Sequence, residues 1–358
     1  MAPVKITETH MDSRNQGPQN GGIDNGLGSY TYPVYKNLDP STLTEGKVVK
    51  FNLVLTANAL ETVNVPVLAY RSRKAGPTVG ITCAIHGNEI NGIPVIQKLF
   101  EDINNNSLEL LSGTVIGVPV VNVPGFLASI RQFDDESKQD LNRLMPGKQT
   151  GAAPEQYAHA IFNKIVSSFD YVIDLHTASA GRQNSLYVRA DMSHPTIGGL
   201  ARLMQPQVLV HIATKGSLRG CAQSQGIHAL TVEIGNPSVF QPNFINATYA
   251  GIRRVIASIG LTSEYEPTPS IIESIRKITP EGTAVCTRSF WVYSKLGGIL
   301  KVFKKPAERV HPRELIGEIQ TIFGDPVEKI YAPDFETVVV GIEANPVAKS
   351  GNRVVSVS

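Results

Sequence analysis

The sequence predicts an α/β protein, a central sheet flanked by helices, with a small all-β domain at its C-terminal end. Three observations point there. The β-rich apolar run Val79, Ile81, Ala84, Ile85 breaks off in His86-Gly87-Asn88-Glu89 and gives way to helical spacing at Ile93, Val95, Ile96, Leu99 and Phe100. That is a buried strand feeding a helix. Strand-like and helical runs then alternate to about residue 259, as they do in strand–helix units built around a sheet. From about residue 265 short β runs dominate, punctuated by glycine and proline (FWVYSKLGGILKVF, LIGEIQTIFGDPVEKIYAP, TVVVGIEANPVAKSGNRVVSV). Such spacing marks an all-β unit.

In chain order, residues 1–28 are polar and glycine-rich, the composition of a flexible arm. Residues 29–264 are expected to form the α/β domain and residues 265–358 the β domain. KVVKFNLVLTA and TVNVPVLAYR read as an antiparallel pair at one side of the sheet. GTVIGVPVV, Gly113 to Val121, is another buried strand. Residues 126–153 form a long irregular stretch ending in Asp140-Leu141-Asn142-Arg143 and Met145-Pro146-Gly147; a loop of that length in a compact domain is usually functional. Pro154 opens a helix running to Phe169, with Tyr157, Ile161, Ile165 and Val166 on its apolar face. The strands Tyr171–His176 and His228–Glu233 follow, then a helix near residues 242–259.

Composition narrows the class. At 358 residues the chain exceeds the usual single domain. A formal net charge of +2 gives no basic excess to attract nucleic acid or anionic lipid, so neither is an expected partner. Cys83, Cys221 and Cys286 are far apart with no Cys-x-x-Cys pair, so neither a disulfide framework nor a thiolate zinc site is indicated; Cys83 reads as a core residue. No apolar segment follows a basic start and no long apolar run suggests a membrane span. The cytoplasm is the expected compartment.

Three strand ends carry polar groups that a buried strand does not ordinarily choose. His86 follows the first, Asp174 and His176 end the second on one face, and Glu233 ends the third ahead of Gly235-Asn236-Pro237. Parallel strands would bring these ends to one sheet edge, where open α/β sheets place their ligands. His-x-x-Glu alone reads more readily as a solvated strand-end histidine with a helix-capping glutamate. With His176 it becomes a His₂Glu set, three protein ligands that leave one position open, as a catalytic zinc requires. Asp174 is placed to fix a ligand imidazole, and Glu233 to accept a proton from water.

His-Gly-Asn-Glu after a strand, Asp-Leu-Asn-Arg with a nearby Pro-Gly, Asp-Leu-His-Thr and a late Val-Glu-Ile-Gly together resemble the succinylglutamate desuccinylase/aspartoacylase family, a branch of the zinc carboxypeptidase superfamily, across roughly residues 78–260. The resemblance implies a zinc-carboxypeptidase-like mixed central sheet and a C-terminal β domain of barrel-sandwich type. It implies one zinc per chain on His86, Glu89 and His176, and Glu233 as general base and proton shuttle. Asn142 and Arg143 would grip a substrate carboxylate, Arg131 would polarise the scissile carbonyl, and among Arg182, Arg189 and Arg219 the last is favoured as an anion contact. The acidic run Asp134-Asp135-Glu136 departs from the more neutral stretch expected beside Arg131.

The implied activity is zinc-dependent hydrolysis of the amide bond of a small N-acylated amino acid or related amine. A metallocarboxypeptidase and a non-catalytic zinc-binding protein are the alternatives. Exposed strand edges are compatible with a homo-oligomer. His10, His159, His194, His211, His228 and His311 have no partner at ligand spacing and are expected to be structural or solvated. Trp291 and Tyr293 are expected in the β-domain core, or as a roof over the site.

Overall fold

A computed structural model describes residues 32–179, 181–212 and 216–358; the expected arm, residues 1–28, lies outside them. One large sheet organises the chain. Its strands are β1 (Val34–Tyr35), β2 (Val48–Ala57), β3 (Thr62–Arg71), β4 (Thr78–Cys83), β5 (Thr114–Val118), β6 (Tyr171–His176), and, past the short β7 (Arg182–Asn184), β8 (Leu186–Ala190), β9 (Val208–His211), β10 (His228–Ile234) and β11 (Ala284–Cys286). The order is β1-β2-β3-β5-β4-β6-β10-β8-β9-β11. The centre, β5-β4-β6-β10, is parallel, whereas β2, β3 and β8 join antiparallel neighbours. The sheet is therefore mixed, with the expected antiparallel pair at one side.

Period-two alternation divides two cores between the sheet faces. Ile173, Leu175, Leu230 and Val232 point to the face covered by α1 (Gly92–Asn104) and, further along the chain, α4 (Pro195–Leu203) and α6 (Pro242–Ser258). Val172 and Ala229 point to the other, covered by α3 (Ala153–Lys164) and α5 (Leu218–Ser224). The remaining helix of the long loop, α2, is only Val123–Leu127. Pro154, Pro195 and Pro242 stand in the first turns of their helices, where the missing N–H costs nothing.

The C-terminal part departs from the strand-dominated reading. Residues Pro269–Ile278 form helix α7, because Pro269 fixes its start and Ile271 and Ile278 share an apolar stripe buried with α6. Strand β11 then joins the large sheet beside β9. Antiparallel strands take over at β12 (Phe290–Tyr293), followed by β13 (Gly298–Val302), β14 (Arg309–Val310), β15 (Leu315–Gln320), β16 (Pro326–Tyr331), β17 (Thr337–Glu343), β18 (Val347–Ala348) and β19 (Arg353–Val357). They form two sheets, β12-β19-β17-β14 and β16-β15-β13-β18. Strand β7 leaves the α/β body to pair with β17, Arg182 opposite Glu343. Tyr187, Val208 and Val210 pack against Val338 and Val340. Among the described residues no helix is long and apolar enough to cross a membrane.

Asn91, fully buried ahead of α1, ties the first strand–helix turn to the end of β10. Its Nδ2 donates to Ile234 O at 2.7 Å and its Oδ1 accepts from Gln241 N at 3.0 Å. Asn91→Ala is expected to destabilise the fold by about 1–3 kcal/mol, the cost of leaving buried polar groups unmet. Chemical denaturation measures this, and an unchanged midpoint would show the tie to be dispensable.

Candidate active site

The site grows from the turn after β4. Ala84 adopts φ +54°, a left-handed conformation that bends the chain out of the sheet one residue before the apolar run ends at Ile85. Gly87 follows because a Cβ there would meet the Gly125 carbonyl carbon at 2.0 Å; only glycine lets the turn lie on the loop backbone. His86 and Glu89 are thereby aimed at the end of β6, where His176 sits, and Glu233 on β10 is directly opposite His176 in the parallel register.

His86, Glu89 and His176 are all buried and present one donor atom each to a common point. The two Nδ1 atoms are 3.2 Å apart, Glu89 Oε1 is 2.9 Å from His86 Nδ1, and Oε2 is 2.8 Å from His176 Nδ1. A tetrahedral zinc with bonds near 2.0–2.1 Å sets its ligand atoms about 3.3 Å apart, so the spacing suits the ion. The far nitrogens also suit it. His176 Nε2 lies 2.8 Å from Asp174 Oδ2, and His86 Nε2 lies 3.0 Å from Asp140 Oδ1. With each Nε2–H donating to its carboxylate, the lone pair of each neutral ring falls on Nδ1, the atom facing the common point.

Charge also binds these side chains to one another. Burial works to push His176 down, but the Asp174 and Glu89 carboxylates outweigh it and raise it well above the usual histidine range. Burial would raise Glu89, yet the facing imidazoles hold it well below the usual carboxylate range. Asp140 is likewise held low against its burial, by His86 and then Arg131. Asp174 is further fixed by the Thr82 hydroxyl at 2.7 Å.

Asp140 was not foreseen as an imidazole partner. It belongs to the Asp-Leu-Asn-Arg run, and its Oδ1 also accepts from Asn142 N at 3.0 Å while Oδ2 takes Arg131 Nη2 at 2.9 Å. Arg131 Nη1 reaches Glu89 Oε1 at 2.8 Å and Ser179 Oγ at 2.7 Å. Arg131 thus faces the histidine–glutamate group and not the acidic run Asp134-Asp135-Glu136.

A cavity of about 600 Å³ opens over this group and is also lined by Arg131, Asn142, Arg143, Arg219 and Glu233; Asp174 stands behind His176. Asn142 Oδ1 accepts from Leu218 N at 2.8 Å, anchoring the loop to α5. Arg143 is exposed and has no carboxylate partner among the described residues. Arg219 is buried, donates to Ile212 O at 2.9 Å, and is pushed down to about 10 by burial and by the charge of Arg189. Glu233 Oε1 pairs with Arg189 at 3.1 Å, and Oε2 accepts from Asn184 at 3.3 Å. Arg189 also bonds the Tyr187 hydroxyl.

The C-terminal strands supply part of the wall, including Phe290, Trp291 and Arg353. Trp291 faces the cavity, while Tyr293 is half exposed outside the core. A larger groove, about 970 Å³, lies at the opposite ends of β6 and β10 beside Tyr171 and His228. It holds none of the His₂Glu donors.

A sequence model of the succinylglutamate desuccinylase/aspartoacylase catalytic domain matches residues 75–259, more than half of the chain. The chain belongs to this family. Among curated relatives, N-alpha-acetyl-L-2,4-diaminobutyric acid deacetylase of Halomonas elongata is 26% identical over 209 residues, 56% of this chain and 59% of that protein. Succinylglutamate desuccinylase of Burkholderia lata is 29% identical over 242 residues, 62% of this chain and 66% of that protein. Each match therefore spans less than two thirds of the relative. A solved succinylglutamate desuccinylase/aspartoacylase from Rhodobacter sphaeroides superposes with a TM-score of 0.74 at 21% identity, covering 90% of this chain and 97% of that one. The expected α/β architecture, mixed sheet plus C-terminal β sheets, is the fold these family members share.

Proposed function

We propose that this family member hydrolyses the amide bond of a small N-acylated amino acid or related amine, using one zinc ion per chain held by His86, Glu89 and His176. The observation that carries the reading is the meeting of three buried ligand atoms with Glu233, directly across from His176, in one cavity. The curated relatives, a deacetylase and a desuccinylase, support the class of substrate. When bound, zinc would supply Lewis acidity at the acyl carbonyl and make water easier to ionise.

The chain's own residues supply the rest. Glu233 accepts a proton from the attacking water and returns it to the leaving amine. Of the five N–H donors of Arg131, three are engaged by Glu89, Ser179 and Asp140; those remaining polarise the scissile carbonyl. Asn142, its oxygen committed to Leu218, offers its amide N–H groups beside Arg143 to the substrate carboxylate. Arg219 lends positive potential to the same end. The antiparallel C-terminal strands, from β12 to β19, roof the cavity through Phe290, Trp291 and Arg353, and this narrowing disfavours long peptides and hence the carboxypeptidase alternative.

Mass detection of products from zinc-loaded protein separates the readings. Release of a small acid from N-acyl amino acids is expected, and faster release of amino acids from dipeptides would overturn the assignment. Arg143→Lys keeps the charge but loses the bidentate fork. It is expected to raise KM for carboxylate substrates by the equivalent of about 1.5–3 kcal/mol and to leave the slow turnover of a carboxamide analogue unchanged. Equal losses on both would mean loop collapse, not carboxylate recognition.

A further inference from the structure

Glu233 is held by both of its carboxylate oxygens, and both holders come from one short stretch of chain. Oε1 pairs with Arg189 at 3.1 Å, and Oε2 accepts from Asn184 Nδ2 at 3.3 Å. Arg189 lies on β8, which runs antiparallel to β10 with Tyr187 directly opposite Glu233. Two residues beyond Tyr187, Arg189 shares its face of the sheet, and the Tyr187 hydroxyl braces the guanidinium there. Asn184 has a different anchor. It ends β7, outside the large sheet, and stands opposite Gly341 of β17 in antiparallel register. Ser185, fully buried, fixes the same point, its N and Oγ each donating to Val340 O at 2.9 Å. One grip on Glu233 therefore comes from the large sheet and the other from the C-terminal strands.

Gly341 is what lets Asn184 reach. A Cβ at that position would stand 2.3 Å from Asn184 Oδ1 and 3.0 Å from Gln183 O, so the amide lies against bare backbone. The backbone of Gly341 is not left-handed; space, not conformation, asks for glycine here. With Oδ1 turned to β17, Nδ2 faces the carboxylate, whereas the reverse would set acceptor against acceptor. An ion pair with Arg189 alone would let the carboxylate turn about the contact. A second donor on the other oxygen, carried by a separate element, leaves it one orientation, as proton transfer needs. We propose that Asn184 is a positioning residue for Glu233 and that β17, through Gly341, sets its place, so that the C-terminal strands orient the general base as well as roof the cavity. The inference rests on the deacylase reading, in which Glu233 moves the proton.

Asn184→Ala in zinc-loaded protein is expected to lower kcat about tenfold, the scale of one hydrogen bond to a charged group, with KM changed by less than about twofold. Zinc content should be unchanged. Asn184→Asp keeps the shape but sets a second carboxylate against Glu233, and should lose more. Gly341→Ala should reproduce the loss of Asn184→Ala, because the new methyl pushes the amide aside. Once Asn184 is alanine the struck side chain is gone, so Gly341→Ala should then cost less than about twofold further in kcat. General damage to β17 would lower Tm and add in full. Full additivity, or a rise in KM with kcat intact, overturns the proposal. Thermal unfolding of the zinc-loaded protein reads the contact without turnover: the Tm losses of Asn184→Ala and Glu233→Ala should be less than additive, as for side chains that share a bond. If wild type hydrolyses no N-acyl amino acid while this coupling is present, the deacylase reading fails and the contact stands. Hydrolysis without the coupling overturns the contact alone.

Discussion

Alanine in place of His176 is expected to abolish both zinc retention and turnover. His176 contributes one of three buried donor atoms, and its far nitrogen is clamped by Asp174 at 2.8 Å. With one imidazole gone, a set of two protein ligands no longer encloses the ion. His86→Ala should behave alike, since His86 is clamped by Asp140 at 3.0 Å. Metal analysis after dialysis gives the primary readout, with about one zinc per chain in wild type. Thermal unfolding gives a second one that does not depend on activity: zinc should raise the Tm of wild type and leave His176→Ala unmoved, because only a ligand that binds the folded state stabilises it. Asp174→Asn supplies a graded test. It keeps the shape behind the ring but weakens the hold on Nε2, so zinc affinity should fall by about 10–100-fold without disappearing. Stoichiometric zinc surviving both alanine variants would overturn the ligand set.

Much of this site was legible because each of its groups interrupts a strongly apolar run. His86, His176 and Glu233 stand where Val79–Ile85, Tyr171–Leu175 and His228–Val232 end, and a polar group there is costly unless it has work to do. The parallel register then follows from the strand–helix alternation. What stayed hidden depends on contacts between distant parts of the chain. Asp140 meets His86 across 54 positions, and its own turn already offers it an ordinary local duty, accepting Asn142 N. The pairing of Arg182 with Glu343 brings Trp291 and Arg353 into the cavity, yet no local pattern announces a three-residue strand crossing to another sheet. Helix α7 was missed for a different reason. Its ten residues lie beside glycine-rich strand signals, and its apolar stripe is too short to stand out from them.

Glu233→Gln separates the base from the ligands. Glu233 lies on β10 opposite His176 but outside the group of converging donor atoms, so zinc content is expected to equal that of wild type. Glutamine has the same shape and can still face Asn184 and Arg189, the present neighbours of the carboxylate at 3.3 and 3.1 Å. It cannot take up a proton from water or pass one to an amine. Substrate binding should therefore survive while kcat falls by roughly 10²–10⁴-fold, the range of general acid–base catalysis. A burial effect on the fold would lower zinc content and Tm together with kcat, whereas loss of the base lowers kcat alone. Loss of zinc in an otherwise stable variant would place Glu233 among the ligands. Undiminished kcat would assign the proton transfer to another group, and Asp140, on the opposite side of His86 from the convergent donors, would be the next carboxylate to replace.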